Sequence, residues 1–299
     1  MLLGSKEIKS LFYLDNNVTY LNHGSFGACP KELLNTQFKL QKELEKEPVK
    51  HLAFDITKNL EKSRTALSHY VNCDKDDLVY FPNPSTALNT VLRSLKLEKG
   101  DEVLSTNHEY GAMDKAWNYL SKKTGFKYIN QKISVPLTTK EFFTKEFIKG
   151  ITKKTRVIFL SHITSPTGLI FPLKEICEIA KEKKIITIID GAHVPGHIKL
   201  DLKELNVDFY CGACHKWMCS PKGVAFLYAK KNRQDIIEPL VISWGYDSKN
   251  ASSSQFLDYL QWQGTNDISA YLTIPETINF LKKKNWIEKA KKCRELNLW

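Results

Sequence analysis

Two residues set the chemical question. Asp190 ends the apolar run Ile185-Ile186-Thr187-Ile188-Ile189, and Lys216 follows it by 26 residues, after a second strand-like run, with His215 before it and Trp217 behind. A carboxylate at the end of such a run is dehydrated unless it meets a cation. A lysine desolvated by its neighbours loses its proton near neutral pH and becomes an amine able to form an imine. Taken singly each is structural, the Asp serving as a cap for the turn at Gly191. Taken together they suit pyridoxal phosphate (PLP), with the acid under a protonated pyridine nitrogen and the amine on the aldehyde.

A phosphate needs hydroxyls and unpaired backbone N–H groups, which helix starts provide. Ser85-Thr86 opens a helix continuing Ala87-Leu88-Asn89-Thr90-Val91-Leu92 and offers both, although a plain N-cap has the same appearance. A planar ring also needs a face partner, and Tyr110 can stack on it.

The elements that must position these residues alternate. Helical spacing runs from about Lys31 to Glu47, where Pro48 ends it, and again from His51 to Tyr70. Strands are then expected at 78–81, 102–105, 155–161, 185–190, 207–210 and 224–228, with helices at 85–97, 113–123, 173–184 and 286–296. Such alternation means right-handed crossovers and an α/β fold with a mostly parallel, helix-covered sheet. Open sheets of this kind bind ligands beyond the carboxyl ends of their strands. There the chain places Asn83 to Thr86, Asn107 to Tyr110, His162 to Thr167, Asp190 to His193 and Cys214 to Lys216. No G-x-G-x-x-G or phosphate-loop pattern follows any strand, and no internal repeat is present.

Composition bounds the alternatives. The 299 residues are 42% hydrophobic and 26% charged, as in a globular chain with a sizeable core. The longest apolar runs fall far short of the ~20 residues that cross a bilayer. The opening MLLGSKEIKS has no signal-peptide apolar region, so the expected address is the cytoplasm. Lys plus Arg number 44 against 33 acidic residues, a net charge of +11, yet only five of the basic residues are Arg. Lysines interleaved with Glu, as at Lys181-Glu182-Lys183-Lys184, read as solvated helix faces rather than a nucleic-acid surface, which favours Arg. The seven cysteines are expected as reduced thiols. Cys211-Gly212-Ala213-Cys214-His215 spells a haem-attachment pattern, but haem attachment needs export and zinc needs a second pair, so no metal is expected.

The segments Tyr20 to Gly27, Asn83 to Asn89, His108 to Ala112, Asp190 to His193 and His215 to Trp217 closely resemble class V aminotransferase-type enzymes, most of all the isopenicillin N epimerase-like branch related to cysteine desulfurases. The resemblance runs in matching order from about residue 18 to 280. It implies the large domain of a fold type I PLP-dependent transferase, a mostly parallel seven-stranded sheet covered by helices. Residues 1–50 would form an N-terminal segment and helix, 51–280 the PLP-binding domain, and 281–299 the start of a small C-terminal domain. Lys216 would be the imine lysine, Asp190 the partner of the pyridinium and Tyr110 the ring stacker. His193 and Ser165 would lie near the ring hydroxyl, while Ser85, Thr86 and His215 would hold phosphate. Thr265 would reach the phosphate of the neighbouring subunit in a homodimer. Asn22 and His23, after an N-terminal strand, are the substrate-side candidates, His23 as an acid or base.

Departures accompany the likeness. Ala213 stands where relatives often carry a phosphate-binding hydroxyl, and Tyr110 stands where desulfurases typically stack a His. Lys222 is a rival imine lysine, disfavoured because Lys216 directly follows His215. Relatives continue by roughly a hundred residues past this end, where they supply the arginine for the substrate carboxylate, so none is nominated here. The expected activity is PLP chemistry on an amino acid: proton abstraction at Cα, ending in epimerisation or elimination. The alternatives are a cysteine desulfurase or C–S lyase and, in another class, a shortened inactive PLP-binding scaffold.

Overall fold

Strand residues in the middle of this chain are apolar at consecutive positions because both faces are covered. A computed structural model describes residues 5–296; residues 1–4 and 297–299, the tips of the expected first and last segments, lie outside it. Seven strands form one sheet: β1 (Leu78–Phe81), β2 (Glu102–Thr106), β3 (Lys127–Gln131), β4 (Thr155–Ser161), β5 (Ile186–Gly191), β6 (Phe209–Ala213) and β7 (Ala225–Ala229). Their spatial order is β1-β7-β6-β5-β4-β2-β3. Only β7 runs against the rest, pairing antiparallel with both β1 and β6.

The period of two along each strand splits the interior into two cores. Ile158, Leu160, Ile189 and Tyr210 point into one, while Val157, Phe159, Ile188 and Phe209 point into the other. Phe159 is fully enclosed, so truncation to Ala would cost roughly 3–5 kcal/mol. The second core is closed by the helices Pro84–Ser94 and Gly111–Thr124, through Leu88, Val91, Met113 and Trp117. By the same alternation Ser161, two residues after Phe159, and Asp190, two after Ile188, face those helices; the register pairs Ser161 with Asp190 and Asp190 with Cys211.

Several expectations need correction. Strand β3 was not foreseen: it is a half-exposed edge strand, Lys-Tyr-Ile-Asn-Gln, without a continuous apolar run. The helix Lys140–Ile148 was likewise missed. Among the described residues no strand precedes His23; there the N-terminal segment makes only an isolated bridge, Phe12 to Pro30. The helix expected at His51 starts at Ile56, after a π-helical turn over Lys50–Phe54. No helix among the described residues is long and apolar enough to cross a membrane. All seven cysteines are free. Cys211 and Cys214 pack into opposite cores, so the haem-like spelling does not present its two thiols to one ligand.

Candidate active site

Five of the six mutually parallel strands, all but the edge strand β3, lead into one cavity of about 210 Å³ at the carboxyl edge of the sheet. The turn after β1 gives Asn83, Pro84 and Ser85, β2 leads to Tyr110, β4 to Ser161 and Ser165, β5 to Asp190 and His193, and β6 to His215 and Lys216. Ser25 and Phe26 close it from the N-terminal segment. Three larger grooves, of about 310, 700 and 750 Å³, lie elsewhere. Some charged side chains lining them pair locally, as Lys75 does with Glu61 at 2.8 Å, and none of the three joins an acid to a desolvated amine.

Asp190 is 5% exposed, and its Oδ1 accepts the Ala192 N–H at 3.0 Å. Burial raises its pKa against the opposing pull of that bond and of Lys216. The acid therefore lines the cavity short of a cation. Burial also lowers the Lys216 pKa, with Asp190 and Cys211 pulling the other way. Lys216 Nζ lies 3.4 Å from His193 Nε2, and Trp217 Nε1 donates to His193 Nδ1 at 3.2 Å. Burial, then Lys216 and His197, push His193 down to about 4, so its ring is neutral. The rival Lys222 points away, donating to the Gly27 carbonyl at 3.3 Å, and is not part of the cavity.

At the opposite end, Asn83 caps the helix that Pro84 opens at a position where its missing N–H costs nothing. Asn83 Oδ1 accepts both the Thr86 N–H at 2.8 Å and the Thr86 hydroxyl at 3.1 Å, so Thr86 serves the cap and does not line the cavity. Ser85 does line it. His215 donates from Nδ1 to the Val224 carbonyl at 3.0 Å, which leaves Nε2 for a ligand. Tyr110, 46% exposed, stands at the mouth.

Asn22 and His23 have other partners. Asn22 Oδ1 caps the short turn at Ser25 (3.0 Å), and His23 Nδ1 accepts the Ala28 N–H at 3.4 Å while its ring packs against Tyr20, Phe12 and Trp217. Neither lines the cavity; Ser25 and Phe26 of the same segment do. Gly27 brings that segment in: its φ is +69°, and a Cβ there would sit 1.9 Å from the His215 carbonyl oxygen. Thr265 is exposed and outside the cavity.

Sequence reasoning missed Ser161 and the acid behind it. Glu109 Oε2 accepts the Ser161 N–H (2.8 Å) and hydroxyl (2.6 Å), and Oε1 accepts the Thr106 hydroxyl at 2.6 Å. Burial raises Glu109 to about 7 despite these donors. The signal was an acid inside the His108-Glu109-Tyr110 segment; His108 itself is structural, bonded to the Ile133 carbonyl at 2.8 Å.

A buried acid lacking a cation, a desolvated lysine and a helix start with a serine and a histidine fit PLP at its pyridine, aldehyde and phosphate ends respectively. The comparisons agree. Isopenicillin N epimerase of Streptomyces clavuligerus is 32% identical over 285 residues, covering 92% of this chain and 72% of that one. A probable chloroplastic L-cysteine desulfhydrase of Arabidopsis thaliana is 28% identical, covering 94% and 62%. A solved structure of a C-DES variant, with glycine covalently linked to its PLP cofactor, superposes with a TM-score of 0.80 at 23% identity, covering 92% and 74%. The family Aminotransferase class-V matches residues 27–298, so the chain belongs to that family of PLP-dependent enzymes.

Proposed function

We propose that this chain is a fold type I enzyme whose cavity handles the Cα proton of an amino acid, in the manner of the epimerase and desulfhydrase relatives. The observation that carries the reading is the convergence of Lys216 and Asp190, from adjacent strands β5 and β6, on one cavity. Lys216 is the lysine that holds the cofactor aldehyde, Asp190 the acid that keeps its pyridine nitrogen protonated, and Tyr110 the cover for one ring face. His193 and Ser165 serve the ring hydroxyl; Ser85 and His215 serve the phosphate. Bound PLP supplies an electron sink that acidifies a Cα–H bond. Lys216, favoured as a free amine by burial, is then the base that takes and returns that proton. Ser25 and Phe26, rather than Asn22 and His23, supply the substrate side from the N-terminal segment.

A desulfurase that carries sulfur on one of this chain's own cysteines is less well supported. None of the seven lines the cavity, and burial raises the thiols of Cys29, Cys73, Cys177, Cys211, Cys214 and Cys219, holding them protonated. Epimerisation and elimination, including C–S lysis, need no such thiol.

The same reading extends to organisation. Residues 51–280 act as the cofactor domain, flanked by 1–50 and 281–299, in a cytoplasmic protein. A homodimer suits exposed Thr265 as a donor to the neighbouring site, and exposed Trp244 (87%) and Ile242 (63%) as interface residues.

The test is exchange of the Cα proton for deuterium in a panel of amino acids incubated with the PLP-loaded protein in D₂O. Wild-type protein is expected to exchange at least one. Lys216→Ala should lose both exchange and the visible absorbance of the lysine-bound cofactor, while Lys222→Ala keeps them. Racemised product identifies epimerisation, and sulfide with pyruvate from L-cysteine identifies elimination. Absence of exchange with every amino acid overturns the proposal, and absorbance surviving in Lys216→Ala moves the lysine assignment to Lys222.

A further inference from the structure

Trp217 sits where it can decide the protonation state of two site residues. Its ring stacks with both His23 (centroids 6.1 Å apart, planes at 26°) and His197 (4.7 Å, 28°). Its backbone carbonyl accepts the Trp286 indole N–H at 3.1 Å, which ties it to the Trp286–Glu295 helix. Gly24 packs closely against the ring, so that a Cβ there would lie 3.2 Å from Trp217 Cζ2. In this mount the indole N–H points at His193 Nδ1, 3.2 Å away.

An indole N–H can only donate, so Nδ1 must be the acceptor. A neutral imidazole carries one proton, which therefore sits on Nε2, the nitrogen 3.4 Å from Lys216 Nζ. An Nε2–H can meet Nζ favourably only if Nζ offers a lone pair; an ammonium there would set donor against donor. We propose that Trp217 is a positioning residue which, through this bond, fixes the His193 proton on Nε2 and thereby holds Lys216 as a free amine. The functional meaning rests on Lys216 being the cofactor lysine, because a free amine is the form that attacks an aldehyde. The groups facing the pair are Asp190 and Cys211, which favour the ammonium at Lys216, and His197, which disfavours a charged His193. Burial of both acts in the same sense as the indole.

Two measurements on the full chain decide it. Nitrogen-15 NMR of histidine-labelled wild-type protein, before PLP is added, is expected to show His193 protonated on Nε2; a proton on Nδ1 overturns the proposal without need of any variant. Trp217→Phe keeps the ring stack and the backbone carbonyl but removes the donor, and should yield mixed tautomers; an unchanged tautomer overturns it. Trace acetylation of Lys216, followed by peptide mass spectrometry near about pH 8, is expected to fall about tenfold in Trp217→Phe, the change from one pKa unit. In a His193→Gln background, whose amide N–H does not depend on the indole, the same substitution should add nothing. An equal fall in both backgrounds assigns Trp217 to packing alone and overturns the proposal. Should PLP attach to Lys222 instead, the assigned function fails while the tautomer result stands.

Discussion

Two buried aspartates on neighbouring strands show how this fold separates structure from chemistry. Asp208, just before β6 and at the amino edge of the sheet, accepts the Thr187 N–H at 2.9 Å and the Thr187 hydroxyl at 3.3 Å, and pairs with Arg233 at 2.8 Å. Asp190, at the carboxyl edge of β5, is also buried, 5% exposed against 9%, but has the Ala192 N–H at 3.0 Å and an adjoining cavity. A small cavity also adjoins Asp208, lined by Lys181, Lys184 and Lys230, but there the acid already has its cation. Burial alone therefore does not mark a site. Burial with an unmet demand for charge, aimed into a space, does.

The sharpest way to break this contrast is Asn at each position. Asp190→Asn should leave the fold of the PLP-free protein intact, yet reduce turnover of the loaded enzyme by about 10²–10⁴-fold, the equivalent of the roughly 3–5 kcal/mol lost on breaking a buried ion pair. Asp208→Asn should do the reverse. Removing the charge that faces Arg233 is expected to destabilise the chain by roughly 1–3 kcal/mol in urea unfolding, with activity per folded molecule unchanged. Equal unfolding losses at both positions would erase the distinction.

Glu109 extends the comparison to an acid with donors but no cation. Its folded pKa, about 7, lies above the ordinary carboxyl value of 4.5. The folded state thus retains a proton that the unfolded state has lost between those values. Its contribution is fully present below about pH 4.5 and disappears as pH rises through about 7, a loss on the order of 3 kcal/mol. Wild type should weaken relative to Glu109→Gln as urea unfolding is moved from about pH 4.5 to 7.5. A constant difference across that range would show that the donors from Ser161 and Thr106, not burial, govern the group.

Gly27→Ala probes the contact that seats the N-terminal segment on the lysine turn. A methyl group 1.9 Å from the His215 carbonyl, at φ +69°, should cost roughly 1–3 kcal/mol and weaken PLP retention. The smallest effect belongs to the exposed pair Lys174–Glu204, 3.0 Å apart: Glu204→Ala should change stability by less than about 1 kcal/mol.

The central strands and the five polar segments beyond them were legible in the sequence because their signals are local. A run such as Ile185 to Ile189 can satisfy its side chains only between two covered faces, and the residue that follows it emerges at an edge. Strand β3 was not legible, since a half-exposed edge strand has no continuous apolar run. Nor was the division of labour within each segment: Thr86 turns to the cap while Ser85 lines the cavity, and Asn22 and His23 serve the backbone while Ser25 and Phe26 reach the site.

The sequence by itself determined that an acid, an amine and a helix start would gather at the carboxyl edge of a parallel sheet, because periodicity and strand polarity are properties of the chain. Only the tertiary structure decided which acids lack a cation, which lysine meets the cavity and which histidine nitrogen is committed to an indole. Hydrogen-bond satisfaction and desolvation depend on atoms brought together from distant segments, as Glu109 and Ser161 are, and no local spacing encodes them.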